Sequence, residues 1–353
     1  HLYMTLVKAY AAQKADLPLG PFNLERRAVG ETDVQIEILF CGVCHSDIHT
    51  VRNEWGATIY PIVPGHEIVG KVTQVGAKVT KYKIGDTVGV GCFVDSCGHC
   101  HNCNDDLEQY CLNGNTQTYN SKSQDKKSIT SGGYSTHIVV TEKFVLKVSD
   151  KLDLAAVAPL LCAGITTYSP LKHWNVKKGD KVAVVGLGGL GHMAVKLAAS
   201  MGAEVTMLSR SAEKAKDADL LGAHHFELTT NATNMKKMAN TFDLIINTVS
   251  AKHDYSEYLA LLNTNGTMVL LGVPPEAIPV HAGNLIFGRK SLAGSLVGGI
   301  KETQEMLDYC AEHNIVSEIE MINIDQIEEA YERTLKGDVR YRFVIDMKSL
   351  KNS

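Results

Sequence analysis

The run Lys181-Val-Ala-Val-Val-Gly186-Leu-Gly188-Gly189-Leu190-Gly191 restricts the possible folds more than any other stretch of the chain. A mostly apolar strand enters a turn that carries glycine in the pattern Gly-x-Gly-x-x-Gly. The residues that follow put Leu190, Met193, Ala194, Leu197, Ala198 and Met201 at the i, i+3, i+4, i+7 spacing of one buried helix face. In such a strand–turn–helix unit the three glycines serve a tight turn, close approach of a pyrophosphate, and close packing of helix on strand. The helix start adds amide donors and the positive end of a dipole. Further strands are predicted over 204–208, 242–247, 266–271 and 291–295. Helices are predicted over 212–221 and between the strands at 242–247 and 266–271. This alternation predicts a doubly wound, parallel α/β sheet.

The rest of the chain follows another pattern. Residues 33–39 alternate polar and apolar, with Val34, Ile36 and Ile38 on one face, as in a half-buried strand. Short β segments punctuated by glycine follow, as in a small barrel-like β domain, and Asp86 is placed to cap a corner. Residues 113–131 are polar and read as a long surface loop, with strands again at 134–140 and 144–148. Composition shifts near residue 151, where helical character begins over 154–168. Two amphipathic helices, 302–313 and 325–335, and a strand at 341–345 close the chain. The expected division is a catalytic domain of residues 1–150 and 296–353 with a nucleotide domain, 151–295, inserted into it. At 353 residues the chain is too long for one compact core.

Nine cysteines raise the question of disulfides, but the spacing points elsewhere. Cys97-x2-Cys100-x2-Cys103-x7-Cys111 supplies four thiolates on a short loop, enough for a closed tetrahedral zinc site that fixes the loop and excludes substrate. Four such thiols also suit a nucleic-acid-binding zinc ribbon, but Asp95, Asp105, Asp106 and Glu108 beside them argue against it. A second stretch, Cys41-Gly-Val-Cys44-His45-Ser46-Asp47-Ile-His49 followed by Gly65-His66-Glu67, mixes thiol, imidazole and carboxylate, the donors zinc selects. Cys44 and His66 are the candidate ligands there, with Cys162 as a third. Three ligands leave a position open for water or substrate. Asp47 is placed to orient a ligand histidine. Cys41, Cys92 and Cys310 show no partner pattern and read as packing cysteines.

The end of the strand at 204–208 speaks to the choice of dinucleotide. NAD sites usually carry Asp or Glu there. This chain has Ser209-Arg210-Ser211, with Lys214 one turn on: no carboxylate repels a 2′-phosphate, and hydroxyls and cations are available to bind one. NADP(H) is therefore expected. Arg210 and Lys214 read equally as solvated charges, although cations in a first helical turn oppose the dipole unless an anion is bound.

A net charge of −4 gives no reason to expect nucleic acid or an anionic membrane as partner. No apolar run approaches the roughly 20 residues of a membrane span. The start His1-Leu-Tyr-Met4 has neither a basic nor an apolar leader region and suggests a processed or tag-derived end. The cytoplasm is the expected location.

These motifs, in this order over nearly the whole chain, resemble those of the zinc-dependent medium-chain dehydrogenase/reductases, the zinc alcohol dehydrogenases. Within them the chain is similar to the cinnamyl-alcohol-dehydrogenase branch, close to bacterial broad-range NADP-dependent aldehyde reductases. Besides the stretches above, Val63-Pro-Gly65-His66-Glu67-Ile-Val-Gly70, Pro159-Leu-Leu-Cys162-Ala-Gly-Ile-Thr166-Thr-Tyr168, Gly191-His192 and Gly294-Ser295-Leu296-Val-Gly-Gly-Ile-Lys-Glu302-Thr303 carry the resemblance. It implies a GroES-like β catalytic domain with two zinc ions and a Rossmann domain, assembled as a homodimer. It implies that Cys44, His66 and Cys162 hold the catalytic zinc, with Glu67 beside it and able to replace water. Cys97, Cys100, Cys103 and Cys111 would hold the structural one. Ser46 would pass the alcohol proton and His49 exchange it with solvent. Asp47 would support His66, and His45 would lie near the pyrophosphate. Thr166, Gly186, Gly188, Gly189, Leu190, Gly191, Ser209, Arg210, Ser211 and Lys214 would bind the cofactor. Trp55, Phe93 and Leu296 fall where the family lines its substrate pocket, and equally read as core. The implied reaction interconverts primary alcohols and aldehydes, with aromatic or medium-sized apolar aldehydes as substrates. Two alternatives remain: an NAD-linked polyol dehydrogenase, which wants an acidic residue at Ser209, and a non-catalytic zinc- and nucleotide-binding protein, which has no need of an open metal position.

Overall fold

The computed structural model describes residues 3–353. The expectation of a processed end falls on His1 and Leu2, outside them. The chain divides into two compact units, one running to Cys162 and resuming at Gly298, the other Ala163–Val297.

The first unit is mainly β. Strands β1 (Thr5–Ala11) and β2 (Gly20–Arg26) pair antiparallel. Strand β3 (Asp33–Gly42) is central to a larger sheet, and its alternation puts Val34, Ile36 and Ile38 in the core. It is followed by β4 (Ile68–Val75), β5 (Thr87–Val90), β6 (Phe93–Asp95), β7 (Thr116–Gln117), β8 (His137–Thr141) and β9 (Leu146–Lys147). At the corner before β5, Asp86 Oδ2 accepts from the Lys83 amide at 3.0 Å. The polar stretch at 113–131 is not wholly surface: β7 pairs with β6, and Thr116, Thr118 and Tyr119 are buried. The compositional shift near 151 marks the helix Leu154–Val157, which packs on β3 and β4 and so stays with the first unit.

The second unit holds β10 (Lys181–Val185), β11 (Glu204–Ser209), β12 (His225–Leu228), β13 (Phe242–Asn247), β14 (Leu262–Leu270) and β15 (Ser291–Gly294). All pairings are parallel, in the order β12-β11-β10-β13-β14-β15. The order reverses direction beside β10, the switch point at which open α/β sheets bind ligands. Strand β12 escaped sequence reading because none of its four residues is fully buried, so it carries no apolar run. A cluster of Ala183, Val185, Leu208, Phe242, Ile245, Leu259 and Met268 forms one side of the core.

The last segment returns to the first unit with the helix Ile300–His313, β16 (Ile319–Asn323), the helix Ile327–Leu335 and β17 (Arg342–Asp346). Strand β17 lies between β16 and β3, completing the order β16-β17-β3-β4-β5-β9. Among the described residues no single helix is long and apolar enough to cross a membrane.

Candidate metal centres and dinucleotide site

Three local structures bring the first cluster together. Strand β3 ends at Gly42, and Cys44, in extended conformation, opens the helix His45–Val51. Gly65, with φ of +106°, turns the chain so that His66 and Glu67 precede β4. A 3-10 turn, Ala158–Leu161, delivers Cys162. Donor atoms of Cys44, His66, Glu67 and Cys162 all lie within 4.8 Å of one another. His66 Nε2 and Glu67 Oε1 are buried without any hydrogen-bond partner. Buried polar atoms are rarely left so, since each costs about 1–3 kcal/mol. The donor set and its orphaned atoms fit a zinc ion.

The electrostatics are those of a metal site. The hydrogen bond from Cys162 holds the Cys44 thiol well below its ordinary range. Cys162, bonded to both Cys44 and Cys92, is pushed well above its own. Burial pushes the Glu67 carboxyl up, and the Arg342 guanidinium pulls it back. Arg342, on β17, pairs with Glu67 Oε2 and donates from Nε and Nη2 to the Val43 carbonyl at 3.1 and 2.8 Å.

The neighbouring side chains are placed as follows. Ser46 Oγ donates to Cys44 Sγ at 3.1 Å. His45 is exposed on the first turn of its helix, and desolvation by the surrounding chain lowers its imidazole from the ordinary value. His49 Nδ1 pairs with Glu54, and its ring lies 5.2 Å from Trp55. Asp47 is fully buried: Oδ2 accepts from the Cys44 amide at 2.9 Å, and Oδ1 from the Tyr119 hydroxyl at 2.6 Å. Its hydrogen bonds thus secure the backbone of Cys44. Burial works against a charged His66, but the thiols of Cys92 and Cys44 and the carboxylate of Asp47 together raise its imidazole. Cys92 Sγ donates to the Leu161 carbonyl at 3.8 Å, and interaction with the Cys162 thiol lowers its own from the ordinary value. Cys310 donates to Met306 Sδ at 3.8 Å inside a helix, and Cys41 is buried beside Gly65 and Gly133. Of the suggested pocket residues, Trp55 and Leu296 are exposed, whereas Phe93 is buried with its ring edge-on to Phe144 at 6.0 Å.

The second cluster joins Cys97, Cys100, Cys103 and Cys111, again with donor atoms within 4.8 Å. Backbone amides point at the sulfurs: His99 and Cys100 at Cys97 Sγ (3.4 and 3.3 Å), Cys103 and Leu112 at Cys100 Sγ (both 3.4 Å). The His99 amide, then the Asn113 side chain and the Cys100 amide, lower Cys97 to about 5. Hydrogen bonds to sulfur favour thiolate, the ligand form.

In the second unit, Gly186 at the end of β10 has φ of +89°, and Gly188 caps the helix Gly189–Ser200. A Cβ on Gly188 would meet nothing within 4 Å, so the turn is open to an incoming group. One on Gly191 would stand 1.8 Å from the Gly186 carbonyl, so only glycine lets the helix pack there. Leu190 is half-buried in the helix's first turn. At the end of β11, Ser209 Oγ accepts from the Ser211 amide at 3.2 Å, and Arg210 is exposed. Lys214 Nζ donates to the Leu187 carbonyl at 2.7 Å, bridging this strand end to the glycine turn. Thr166 is buried in the helix Ala163–His173.

Sequence reasoning missed Arg342, Tyr119 and Glu54. Arg342 had a signal: an arginine opening the apolar run Phe343-Val-Ile345 in a buried strand needs a buried partner. Tyr119 had none, since its polar surroundings read as loop.

Thiolate and imidazole donors in one unit and a dinucleotide-type phosphate turn in the other are the parts of a metal-dependent dehydrogenase. Residues 30–150 match the model of the alcohol dehydrogenase GroES-like domain, and residues 189–312 that of the zinc-binding dehydrogenases. The chain is 57% identical over 350 residues to NADP-dependent alcohol dehydrogenase C 1 of Mycolicibacterium smegmatis, covering 99% of this chain and 100% of that one. It is 55% identical to the aldehyde reductase YahK of Escherichia coli, covering 98% and 99%. A cinnamyl alcohol dehydrogenase structure from Sorghum bicolor superposes with a TM-score of 0.95 at 46% identity, covering 98% of each chain. The chain belongs to the zinc-dependent alcohol dehydrogenases.

Proposed function

We propose that the chain is a zinc-dependent oxidoreductase that interconverts primary alcohols and aldehydes with NADP(H), favouring reduction of aromatic or medium-chain aldehydes. The observation that carries this reading is the cluster of Cys44, His66, Glu67 and Cys162 with two buried, unpartnered donor atoms. When bound, zinc supplies Lewis acidity at the carbonyl oxygen, and NADPH supplies the hydride. Cys44, His66 and Cys162 hold the metal. Glu67, tethered by Arg342, stands by as a further donor. The hydroxyl of Ser46 gives its proton to the oxygen of the reduced substrate, and His49, aligned by Glu54, exchanges that proton with solvent. His45 and Thr166 border the cofactor. The turn Gly186–Gly191 and the helix start behind it bind the pyrophosphate. Ser209, Arg210, Ser211 and Lys214 take the 2′-phosphate: two relatives are named for NADP dependence or aldehyde reduction, and the strand end offers hydroxyls and cations without a carboxylate. The four-cysteine loop holds a second, structural zinc. Trp55, Phe93 and Leu296 are the proposed pocket residues.

The working assembly is a homodimer. Strand β15 is an edge of its sheet, and Val273, Ile286 and Phe287 are strongly exposed in the same unit, an arrangement that a second copy would cover. The many thiols suit a reducing compartment, so the cytoplasm is the proposed location.

The test follows absorbance as the protein meets benzaldehyde with NADPH or, separately, NADH. Oxidation of NADPH that is lost on chelation and much slower with NADH is the expected result. Preference for NADH would overturn the reading of Ser209. Oxidation that survives complete removal of metal would overturn the metal site.

A further inference from the structure

The loop that carries the four cysteines leaves and re-enters the first unit through β6 and β7, whose register pairs Phe93 with Gln117 and Asp95 with Thr116. Cys97 follows β6 by two residues, and Cys111 precedes β7 by five, so closing the cysteine cluster also closes this ribbon. The two residues after β7 do not return to solvent. Thr118 is buried: its amide donates to the Cys92 carbonyl at 3.2 Å, and its Oγ1 to the Gly91 carbonyl at 2.6 Å. Tyr119 comes next, also buried, with its hydroxyl 2.6 Å from Asp47 Oδ1 and its ring centroid 5.8 Å from that of His66. The other oxygen of the same carboxylate holds the Cys44 amide. A continuous set of contacts therefore runs from the cysteine loop through Tyr119 and Asp47 to a ligand of the other cluster.

We infer that Tyr119 is a positioning residue for the catalytic metal, presented by the four-cysteine loop, so that the outer cluster sets the geometry of the inner one. The inference rests on the metal reading given above. A carboxylate that accepts from both a phenol and a backbone amide is fixed in rotation, and so fixes that amide and the thiolate of the same residue. Without the phenol, Asp47 keeps its bond to Cys44 but gains freedom to turn, and one of its buried oxygens loses its donor. Partners of ligands at this remove typically change metal affinity about 10–100-fold. The ring itself shields one side of His66, a role phenylalanine retains. A hydroxyl deletion thus separates positioning from packing.

The experiment compares the zinc-loaded wild-type chain with Tyr119→Phe and Thr118→Val. Zinc release to a chromophoric chelator is followed in time, and the phase belonging to the catalytic site is identified by its absence in Cys162→Ser. For Tyr119→Phe that phase should quicken about 10-fold, while release from the four-cysteine site keeps its rate. With cobalt in place of zinc, the visible ligand-field bands of the inner site should shift. Thr118→Val, which loosens the arm without touching Asp47, should move the same phase in the same direction by less. Release from Tyr119→Phe at the wild-type rate, with unchanged cobalt bands, overturns the inference and leaves the metal reading intact. An effect of Tyr119→Phe with none from Thr118→Val overturns the part played by the loop. A wild-type chain that shows no phase sensitive to Cys162→Ser overturns the metal reading and the inference with it.

Discussion

Replacing Arg342 by methionine removes the guanidinium while keeping an apolar stem of similar reach. In the native structure that guanidinium makes one bond to Glu67 and two to the Val43 carbonyl, in a site where Glu67 is completely buried. The variant leaves a carboxylate facing an apolar chain and a carbonyl without its donor. Removing one member of a buried ion pair typically costs about 3–5 kcal/mol. The orphaned carbonyl overlaps with that loss rather than adding in full, so the expected destabilisation of the first unit stays within the same range. For a unit of this size each kcal/mol shifts the midpoint by about 2–4 °C, which gives a fall of about 10 °C in the calorimetric transition of the zinc-loaded protein. Because the cost comes from an uncompensated charge, the double variant Glu67→Gln/Arg342→Met should regain more than half of the lost stability. A single variant that loses less than about 1 kcal/mol would refute the reasoning. So would a double variant as unstable as the single one, since the charge would then not be the cause.

Ser209→Asp should move cofactor preference from NADPH toward NADH by at least about tenfold in the ratio of kcat/KM values, because a carboxylate would repel the 2′-phosphate; steady-state kinetics with both cofactors would show it. Glu108 Oε1 accepts from the Ile300 amide at 3.0 Å and so caps the helix Ile300–His313 from within the cysteine loop. Glu108→Ala should cost about 0.5–2 kcal/mol in urea unfolding, with faster amide exchange in the helix's first turn. Burial lowers the His137 imidazole from its ordinary 6.5. The folded state therefore resists protonation there, and the associated stability is present above about pH 6.5 and lost as pH falls below it. Urea midpoints measured on either side of that pH should differ less for His137→Gln than for the wild-type chain.

How much of this was legible in the sequence differs by residue, for physical reasons. The glycine turn was readable because strand, turn and helix each carry a local pattern, and the structure shows the same order with Gly186 at positive φ. The two donor clusters were readable because thiols and imidazoles in short spacing are rare otherwise. Strand β12 was not, because half-exposed strands have no apolar period to detect. Sequence placed Asp47 beside the candidate ligands and assigned its bonds to His66, whereas they go to the Cys44 amide and Tyr119. That choice depends on a partner 72 residues away, and nothing local announces a contact over such a separation. Arg342 is further still from Glu67 along the chain. Both lie in the part of the site made by tertiary folding alone.

The position of β17 has a consequence for synthesis. Residues 163–297 make a complete parallel sheet and can pack once they emerge, N-terminal elements first, as domains generally do. The unit that hosts them cannot. Its sheet lacks β17, between β16 and β3, until the C-terminal end of the chain has been made. Until then Glu67 has no counter-ion and the Val43 carbonyl no donor. Until β17 is in place, Cys44 and Cys162 therefore stand on a sheet that lacks one of its inner strands. A chain that stops short of Arg342 would carry every strand of the second unit's sheet, while the first unit would lack the strand between β16 and β3 and the partner of Glu67.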